Sequence, residues 1–195
     1  MEERELVRLS QEGDEEAFAL LVKKYEAKVF RLAMSLTQNC EVSDDLAQEV
    51  FIKAYFSLPK FRFKSEFGTW LYRIAINQIR DHLRKRKSRM KEISLEAMRE
   101  NLFAQRDEML REELEQVEEK RRELVHKFLQ DLPEKYQIIL ALRDLQGFSY
   151  EKISKTLKIS PGTVDSRLYR ARKMLRKKLA PFLSQKGGIH EMQES

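Results

Sequence analysis

The chain has 195 residues, of which 42% are hydrophobic and 36% are charged, and its formal net charge is +6. This length allows two small domains with separate cores, and the positive charge permits nucleic-acid binding if the basic residues are clustered. The sequence has neither an apolar run long enough to span a membrane nor a signal peptide, so we expect a soluble cytoplasmic protein without membrane insertion.

Helical spacing of apolar residues, with few Gly and Pro, predicts an all-α fold of two small helical domains. Asp14 is a candidate N-cap for a helix that ends near residue 36. A polar turn at 38–42 follows, and Ser43 is a candidate N-cap for a second helix over 44–58. A third helix begins at about residue 67 and runs into a basic cluster.

The predicted helix 44–58 has two faces that can make contacts. Its core side carries five apolar residues, Leu46, Ala47, Val50, Ala54 and Leu58. The opposite side carries two acids and two large apolar residues, namely Asp45, Glu49, Ile52 and Phe56. Such a face favours docking against a basic, partly apolar helix of a partner. The alternative, which the pattern leaves open, is that a neighbouring element buries Ile52 and Phe56.

The third predicted helix combines a core side with a polar, basic stripe. Its expected core residues are Trp70, Leu71, Ile74, Ala75 and Ile79, and its stripe consists of Arg73, Asn77, Arg80 and Arg84. The segment 80–91 holds seven Lys or Arg and one acid. A stripe of this kind is typical of contact with a nucleic-acid strand.

An aromatic and basic loop precedes this helix. It contains Phe61, Arg62, Phe63, Lys64, Ser65 and Phe67. Aromatic rings beside cations can stack on unpaired bases or hold them in a pocket. Ordinary core packing of the three rings is the alternative.

We divide the chain into a helical bundle over 1–87, a flexible linker over 88–107, a second domain over 108–185 and a flexible tail over 186–195. The linker contains four charges of each sign and has no strong apolar spacing. An apolar stripe then returns at Leu110, Leu114, Val117, Leu124 and Phe128, and a further helix is expected from Pro133 to about Leu145.

The second domain ends in a predicted helix-turn-helix. Ser149 and Ser160 are successive N-cap candidates, and Pro161 suits the first position of the second helix. That helix has a core side of Val164, Leu168, Ala171, Leu175 and Leu179, which leaves Thr163, Ser166, Tyr169, Arg170 and Lys173 on other faces. Between Ser160 and Lys186 there are eight basic residues and one acid, which favours a DNA-recognition helix over a merely solvated basic helix.

Catalytic and metal-binding motifs are not evident. The only cysteine is Cys40, which excludes an internal disulfide, and the three histidines lie far apart in the sequence. There is no glycine-rich phosphate loop and no recognisable nucleophile arrangement. We therefore expect no metal, no cofactor and no enzymatic activity.

Three ordered blocks resemble one family. DDLAQEVFIKAYFSLPKF, SEFGTWLYRIAINQIRDHLRKRK and LPEKYQIILALRDLQGFSYEKISKTLKISPGTVDSRLYRAR are similar to bacterial RNA polymerase sigma factors of the extracytoplasmic-function type. The resemblance implies a protein that binds core polymerase at the β′ clamp helices and the β flap, and that directs initiation at specific promoters. It also implies a connection with stress responses and an anti-sigma factor as a partner.

The resemblance assigns roles to the surfaces described above. The polymerase contact corresponds to Asp45, Gln48, Glu49, Ile52 and Phe56. The minus-10 contact corresponds to the 61–67 loop, Trp70 and the stripe of Arg73, Asn77, Arg80 and Arg84. The minus-35 contact corresponds to Lys152, Lys155, Thr163, Asp165, Ser166, Arg167, Tyr169, Arg170 and Lys173.

One position departs from the family pattern. Asp165 stands where relatives often carry Arg or Lys, and an acid there repels phosphate but can accept from a cytosine amino group. The minus-35 sequence therefore cannot be copied from relatives. A stand-alone helix-turn-helix regulator is the alternative function, and it would have no need of the acidic and apolar face of helix 44–58.

Overall fold

The computed structural model describes residues 1–96 and 128–184, and no strand occurs within them. Their helices are α1 (Glu3–Gln11), α2 (Glu15–Thr37), α3 (Cys40–Ser57), α4 (Phe67–Glu96), α5 (Glu134–Leu140), α6 (Tyr150–Leu157) and α7 (Pro161–Ser184). A 3₁₀ turn at Leu58–Lys60 follows α3, and a π-helical turn at Ala141–Leu145 follows α5. The all-α prediction is confirmed. Predicted features at Leu110, Leu114, Val117 and Leu124 lie outside the described residues, as do the greater part of the predicted linker and the tail.

The first domain packs α2, α3 and α4 around one core, with α1 lying against α2. Apolar residues at helical spacing along α2 are buried in this core, namely Leu21, Tyr25, Val29, Leu32 and Leu36. The Asp14 carboxylate accepts a hydrogen bond from the backbone N–H of Ala17 at 2.9 Å, which confirms Asp14 as the N-cap. Helix α1 was not expected from the sequence, and α4 continues to Glu96, into the segment predicted as linker.

The start of α3 differs from the prediction. The helix begins at Cys40, because the side chain of Asn39 accepts a hydrogen bond from the N–H of Val42 at 2.9 Å. Gln38 adopts a left-handed conformation with φ 55°, which ends α2 and turns the chain within two residues. Ser43 is buried, with its hydroxyl 2.6 Å from the carbonyl of Asn39. The prediction that Ser43 caps this helix is wrong.

The second domain contains the predicted helix-turn-helix. The hydroxyl of Ser149 accepts from the N–H of Lys152 at 3.2 Å, and the hydroxyl of Ser160 accepts from the N–H of Thr163 at 3.2 Å. Both N-caps are confirmed, and α7 begins at Pro161 as expected. Val164, Leu168 and Ala171 are buried together with Ile153 of α6. This packing holds α7 at a fixed angle against α6 and leaves its other side open.

Residues 141–145 adopt π-helical geometry, although the sequence predicts an ordinary helix to Leu145. The wider turn appears in the hydrogen bond from the N–H of Gln146 to the carbonyl of Ala141, at 3.1 Å.

In the described part of the chain, no helix is both long enough and apolar enough to cross a membrane.

Replacing Ser43 with Asp tests where α3 begins. If the helix began after Ser43, a carboxylate there would be a good N-cap, but in the structure it would be buried beside Thr37. Burial of an unpaired charge costs on the order of several kcal/mol, whereas Asn39→Asp keeps a capping oxygen and should change stability by less than about 1 kcal/mol. We expect thermal unfolding to show a large loss of stability for Ser43→Asp and not for Asn39→Asp. Equal stability of the two variants would contradict this start of α3.

Candidate protein and nucleic-acid interfaces

The outer face of α3 is exposed, as the docking hypothesis requires. Ile52 and Phe56 are 56% and 76% exposed, so no described element buries them and the alternative prediction is wrong. Asp45, Gln48 and Glu49 are exposed beside them. Two apolar side chains that remain in water next to two carboxylates form a surface suited to a basic, partly apolar partner.

Glu49 is held in place by α4. Its carboxylate accepts a hydrogen bond from the side-chain amide of Gln78 at 2.8 Å, and the amide oxygen of Gln78 accepts from the ammonium of Lys53. Gln78 is buried, and it lines a cleft of about 720 Å³ between α3 and α4. Sequence spacing could not identify this contact, because Gln78 and Glu49 lie on separate helices. The acidic face is therefore positioned by the bundle itself.

The aromatic loop is divided between core and surface. Phe61 and Phe67 are buried against Trp70, with ring centroids 5.0 Å and 5.6 Å from that of the indole. Core packing is therefore the correct interpretation for these two rings in this conformation. Phe63 is half-buried and adopts a left-handed backbone with φ 54°, unusual for an aromatic residue. The other loop residues predicted to contact DNA are exposed at Arg62 and Lys64 and half-buried at Ser65.

The polar stripe of α4 is only partly open to solvent. Asn77 and Arg84 are exposed, and Arg84 forms an ion pair with Asp81 one turn earlier. Arg73 and Arg80 are half-buried because they contact the second domain. The four residues therefore share one face of α4 as predicted, but two of them are already engaged by the second domain.

These partners belong to the helix-turn-helix domain. The guanidinium of Arg73 donates to the backbone carbonyl of Lys155 through Nε at 3.1 Å and Nη2 at 2.5 Å. The guanidinium of Arg80 lies 3.0 Å from the carboxylate of Glu134. The ammonium of Lys152 lies 4.0 Å from Glu66 and over the ring of Phe148 at 4.5 Å. Both predicted DNA-binding surfaces thus contribute side chains to one domain contact.

Tyr72 lies at the centre of this contact. Its hydroxyl donates to the side-chain oxygen of Gln146 at 3.0 Å, and its ring packs edge-on against Phe148 at 4.8 Å. Both rings are buried. Burial raises the pKa of Tyr72 to about 12, and Arg31 acts weakly in the opposite direction. Helical spacing does not single out Tyr72, because its position on α4 is adjacent to the predicted core side.

The recognition helix α7 presents a polar, basic face to solvent. Asp165, Tyr169, Arg170 and Lys173 are exposed, and Thr163, Ser166 and Arg167 are half-buried on the same helix. Tyr169, at 67% exposed, is one of the large side chains that the domain leaves in water. On α6, the side chain of Lys155 is exposed and that of Lys152 is half-buried. The arrangement can place several donors and one acceptor in a DNA groove.

Within residues 1–96 and 128–184 there is no group of three or more His, Cys, Asp or Glu side chains able to hold a metal ion. Cys40 is a free thiol at the start of α3 and is exposed.

Two family models match the chain in the order of its domains. Residues 21–89 match the model of sigma-70 region 2, and residues 122–175 match that of sigma-70 region 4. Helix α1 and the polar tail lie outside both matched segments.

The chain is similar to curated proteins along almost its entire length. It is 40% identical over 192 residues to the RNA polymerase sigma-H factor of Pseudomonas aeruginosa, with 93% of this chain and 96% of the relative covered. It is 36% identical over 181 residues to the ECF RNA polymerase sigma-E factor of Escherichia coli K12, with 91% of this chain and 94% of the relative covered.

Two solved structures share the fold. CnrH in complex with the cytosolic domain of CnrY gives a TM-score of 0.67 at 24% identity, with 92% of this chain and 97% of that chain covered. The sigma factor RpoE in complex with the anti-sigma factor NepR from Bartonella quintana gives 0.61 at 24% identity, with 84% of this chain and 96% of that chain covered.

Titration of Tyr72 tests whether the domain contact exists in solution. Because the folded-state pKa is about 12 and the ordinary value is 10.0, the buried neutral ring contributes stability that is complete below pH 10 and is lost as pH rises toward 12. We expect the free energy of unfolding to fall less steeply between pH 10 and pH 12 in Tyr72→Phe than in the wild type. Tyr169→Phe, at an exposed site, is the matched control. Identical slopes for Tyr72→Phe and wild type would show that the ring is not buried.

Proposed function

This chain belongs to the extracytoplasmic-function sigma factors of the sigma-70 family, and we propose that three of its surfaces divide the work of promoter-specific transcription initiation. The outer face of α3 binds core RNA polymerase, the loop before α4 and the α4 stripe bind the minus-10 element, and α7 binds the minus-35 element. The membership and its matched regions make this a sigma factor. The observation that carries the assignment of surfaces is the exposed acidic and apolar face of α3, which a stand-alone DNA-binding regulator does not require.

The polymerase contact combines charge and apolar burial. Asp45 and Glu49 attract a basic helix, while Ile52 and Phe56 lose their exposed apolar area when that helix docks. Removing apolar area from water contributes about 25 cal/mol per Å², so the apolar pair supplies affinity. The carboxylates contribute orientation and association rate, which depend on ionic strength.

The minus-10 contact opens the duplex without an active site in this chain. An unstacked base of the non-template strand leaves the helix and enters the pocket beside the loop, where Phe63 is half-buried. The cost of unstacking is offset by contacts with the aromatic loop and by charge on α4. Asn77, which is exposed one turn beyond Arg73, can hydrogen-bond a base edge. Nucleotide chemistry belongs to the polymerase.

The minus-35 contact is read in duplex DNA. The buried side of α7 fixes its exposed side toward the major groove, so that Arg170 reaches a base edge and Lys173 a backbone phosphate. Asp165 favours a cytosine at one position, because a carboxylate accepts from the cytosine amino group. The two DNA contacts reinforce one another, because the second occurs within the same molecule as the first.

Promoter binding requires the two domains to separate. Arg73 and Arg80 cannot hold DNA while they bind Lys155 and Glu134 of the second domain. Their present contacts are partly exposed and therefore weak, on the order of 1 kcal/mol or less for an exposed ion pair. Polymerase, which engages the two domains apart, can exchange these contacts for DNA phosphates.

The function takes place where polymerase and chromosome are found, in the cytoplasm. A partner of the anti-sigma class can regulate it.

Transcription by purified core polymerase tests the proposed function directly. Adding this chain to core polymerase and fragmented genomic DNA should yield new run-off transcripts. Their upstream sequences should share two conserved blocks at a fixed spacing, one for each DNA-binding domain. Transcripts no different from those of core polymerase alone would overturn the proposal.

Reversal of charge on α3 should weaken polymerase binding. Asp45→Lys with Glu49→Lys places like charges against a basic partner, and we expect a drop in affinity for core polymerase of at least tenfold at low salt. Glu12→Lys with Glu26→Lys is the control, because it makes the same change in net charge at exposed sites away from α3. Circular dichroism checks that helicity is retained. Equal affinity of both double variants would place the polymerase contact elsewhere.

Arg170 and Lys155 should differ in what they recognise. Arg170→Ala removes a base-edge contact and should cost about 1–3 kcal/mol at the preferred site, with relaxed preference at one base pair. Lys155→Ala removes a phosphate contact and should weaken all sequences equally, lowering the salt slope by about one. Selection of bound sequences from a randomised minus-35 library at two salt concentrations measures both effects. An unchanged preference in Arg170→Ala would exclude base reading.

A further inference from the structure

Helix α1 lies outside the matched family regions, but it packs tightly on the first domain. Leu6, Val7 and Ser10 are buried, and the side chain of Glu3 binds both Lys24, at 2.6 Å, and the hydroxyl of Tyr25, at 2.8 Å. The first turn of the helix is therefore anchored to α2. A short helix fixed in this way can serve as a rigid wall for a neighbouring site.

The other end of α1 holds the aromatic loop. The side-chain amide of Gln11 donates to the backbone carbonyls of Leu58 and Phe61, at 2.9 Å and 2.8 Å. The two carbonyls lie at either end of the 3₁₀ turn, because Leu58 is its first residue and Phe61 is the residue that follows it. One amide group thus uses its two hydrogens to fix the direction in which the loop begins. No other residue of α1 has a recorded side-chain hydrogen bond to the loop in the described structure.

A cleft of about 640 Å³ lies between the N-terminal end of α1 and the loop. Its walls include Arg4 and Val7 from α1, and Phe61, Phe63 and Ser65 from the loop. This volume falls within the range of sites that enclose small ligands. The guanidinium of Arg4 lies 5.4 Å above the centre of the Phe63 ring. The Phe63 ring and the cation over it thus form one boundary of the cleft.

The charges around the cleft suit an uncharged base better than a phosphate. Glu2, Glu3 and Glu66 line it together with Arg4 and Lys24. Glu3 is paired with Lys24, and in the part of the chain that the structure describes no ion pair of Arg4 is recorded. A planar guanidinium beside an aromatic ring can stack on a base as well as donate to its edge, whereas an ammonium can donate but cannot stack.

We propose that α1 forms one wall of the site for the unstacked minus-10 base, with Gln11 positioning the loop and Arg4 contacting the base. This inference rests on the proposed function of the loop. It extends the site to a helix that precedes the matched region 2. Gln11 acts only through the loop, whereas Arg4 meets the nucleotide directly.

The test measures binding of holoenzyme to an unpaired oligonucleotide that carries the minus-10 sequence found from run-off transcripts. One adenine is replaced by 2-aminopurine, whose fluorescence increases when the base leaves the stack. Gln11→Leu removes two hydrogen bonds of about 0.5–1.5 kcal/mol each, so affinity should fall roughly fivefold or more. Arg4→Ala and Arg4→Lys should both lower affinity and the fluorescence change. Core-polymerase binding and minus-35 duplex binding should remain at wild-type levels.

Two controls separate a site effect from a folding effect. Arg8→Ala removes an exposed arginine of α1 that does not line the cleft, and Ser10→Ala removes a buried hydrogen bond within α1. Both should bind the oligonucleotide as the wild type does. The inference would be overturned by wild-type affinity for the oligonucleotide in both Gln11→Leu and Arg4→Ala, or by wild-type affinity in Arg4→Lys. It would also be overturned if these variants lost core-polymerase binding to the same extent as oligonucleotide binding. If wild-type holoenzyme does not prefer the minus-10 oligonucleotide to a scrambled one, the proposed function of the loop fails instead.

Discussion

The packing of α4 across the first domain is the constraint on which the rest of the structure depends. Its inner side, with Leu71, Ala75 and Ile79, is buried against α2 and α3. That packing fixes where the remaining sides point. One edge carries Gln78, which holds Glu49 on α3, and the outer stripe carries the arginines that meet the second domain. A single helix therefore sets the geometry of the contact between domains and of the surfaces proposed to bind polymerase and DNA.

The same arginines have two possible partners, and this links structure to function. With the domains in contact, Arg73 donates to a backbone carbonyl of α6, and Arg80 pairs with a carboxylate at the start of α5. With the domains apart, both side chains are free for phosphates, which carry a full charge and attract them from a distance. Separating the domains costs free energy, because the buried rings of Tyr72 and Phe148 would become exposed to water. Under the proposed function, contacts made in the polymerase complex must therefore offset the free energy of separating the domains.

Sequence patterns predicted the helices that have strong caps and regular apolar spacing. Asp14, Ser149 and Ser160 cap as expected, and the exposed face of α3 lies on the expected side. The patterns failed where contacts with residues distant in the sequence determine the local structure. The early start of α3 depends on Asn39 and on a left-handed turn at Gln38, and the burial of Tyr72 and the role of Gln11 depend on elements far away in sequence. Such contacts have no local signature. The family resemblance supplied the proposed role of each surface, which spacing alone could not.

In promoter binding as proposed, the α4 stripe exchanges the second domain for DNA, and a distance between the domains tests this exchange most directly. Cys40 at the start of α3 is a free, exposed thiol, and Glu151 of α6 is exposed, so spin labels at Cys40 and at Glu151→Cys report the separation. Pulsed electron spin resonance should give one short distance in the free chain. In a complex with core polymerase and promoter DNA the distance should become distinctly longer. The same short distance in the promoter complex would contradict the account, because Arg73 and Arg80 would still be occupied by the second domain.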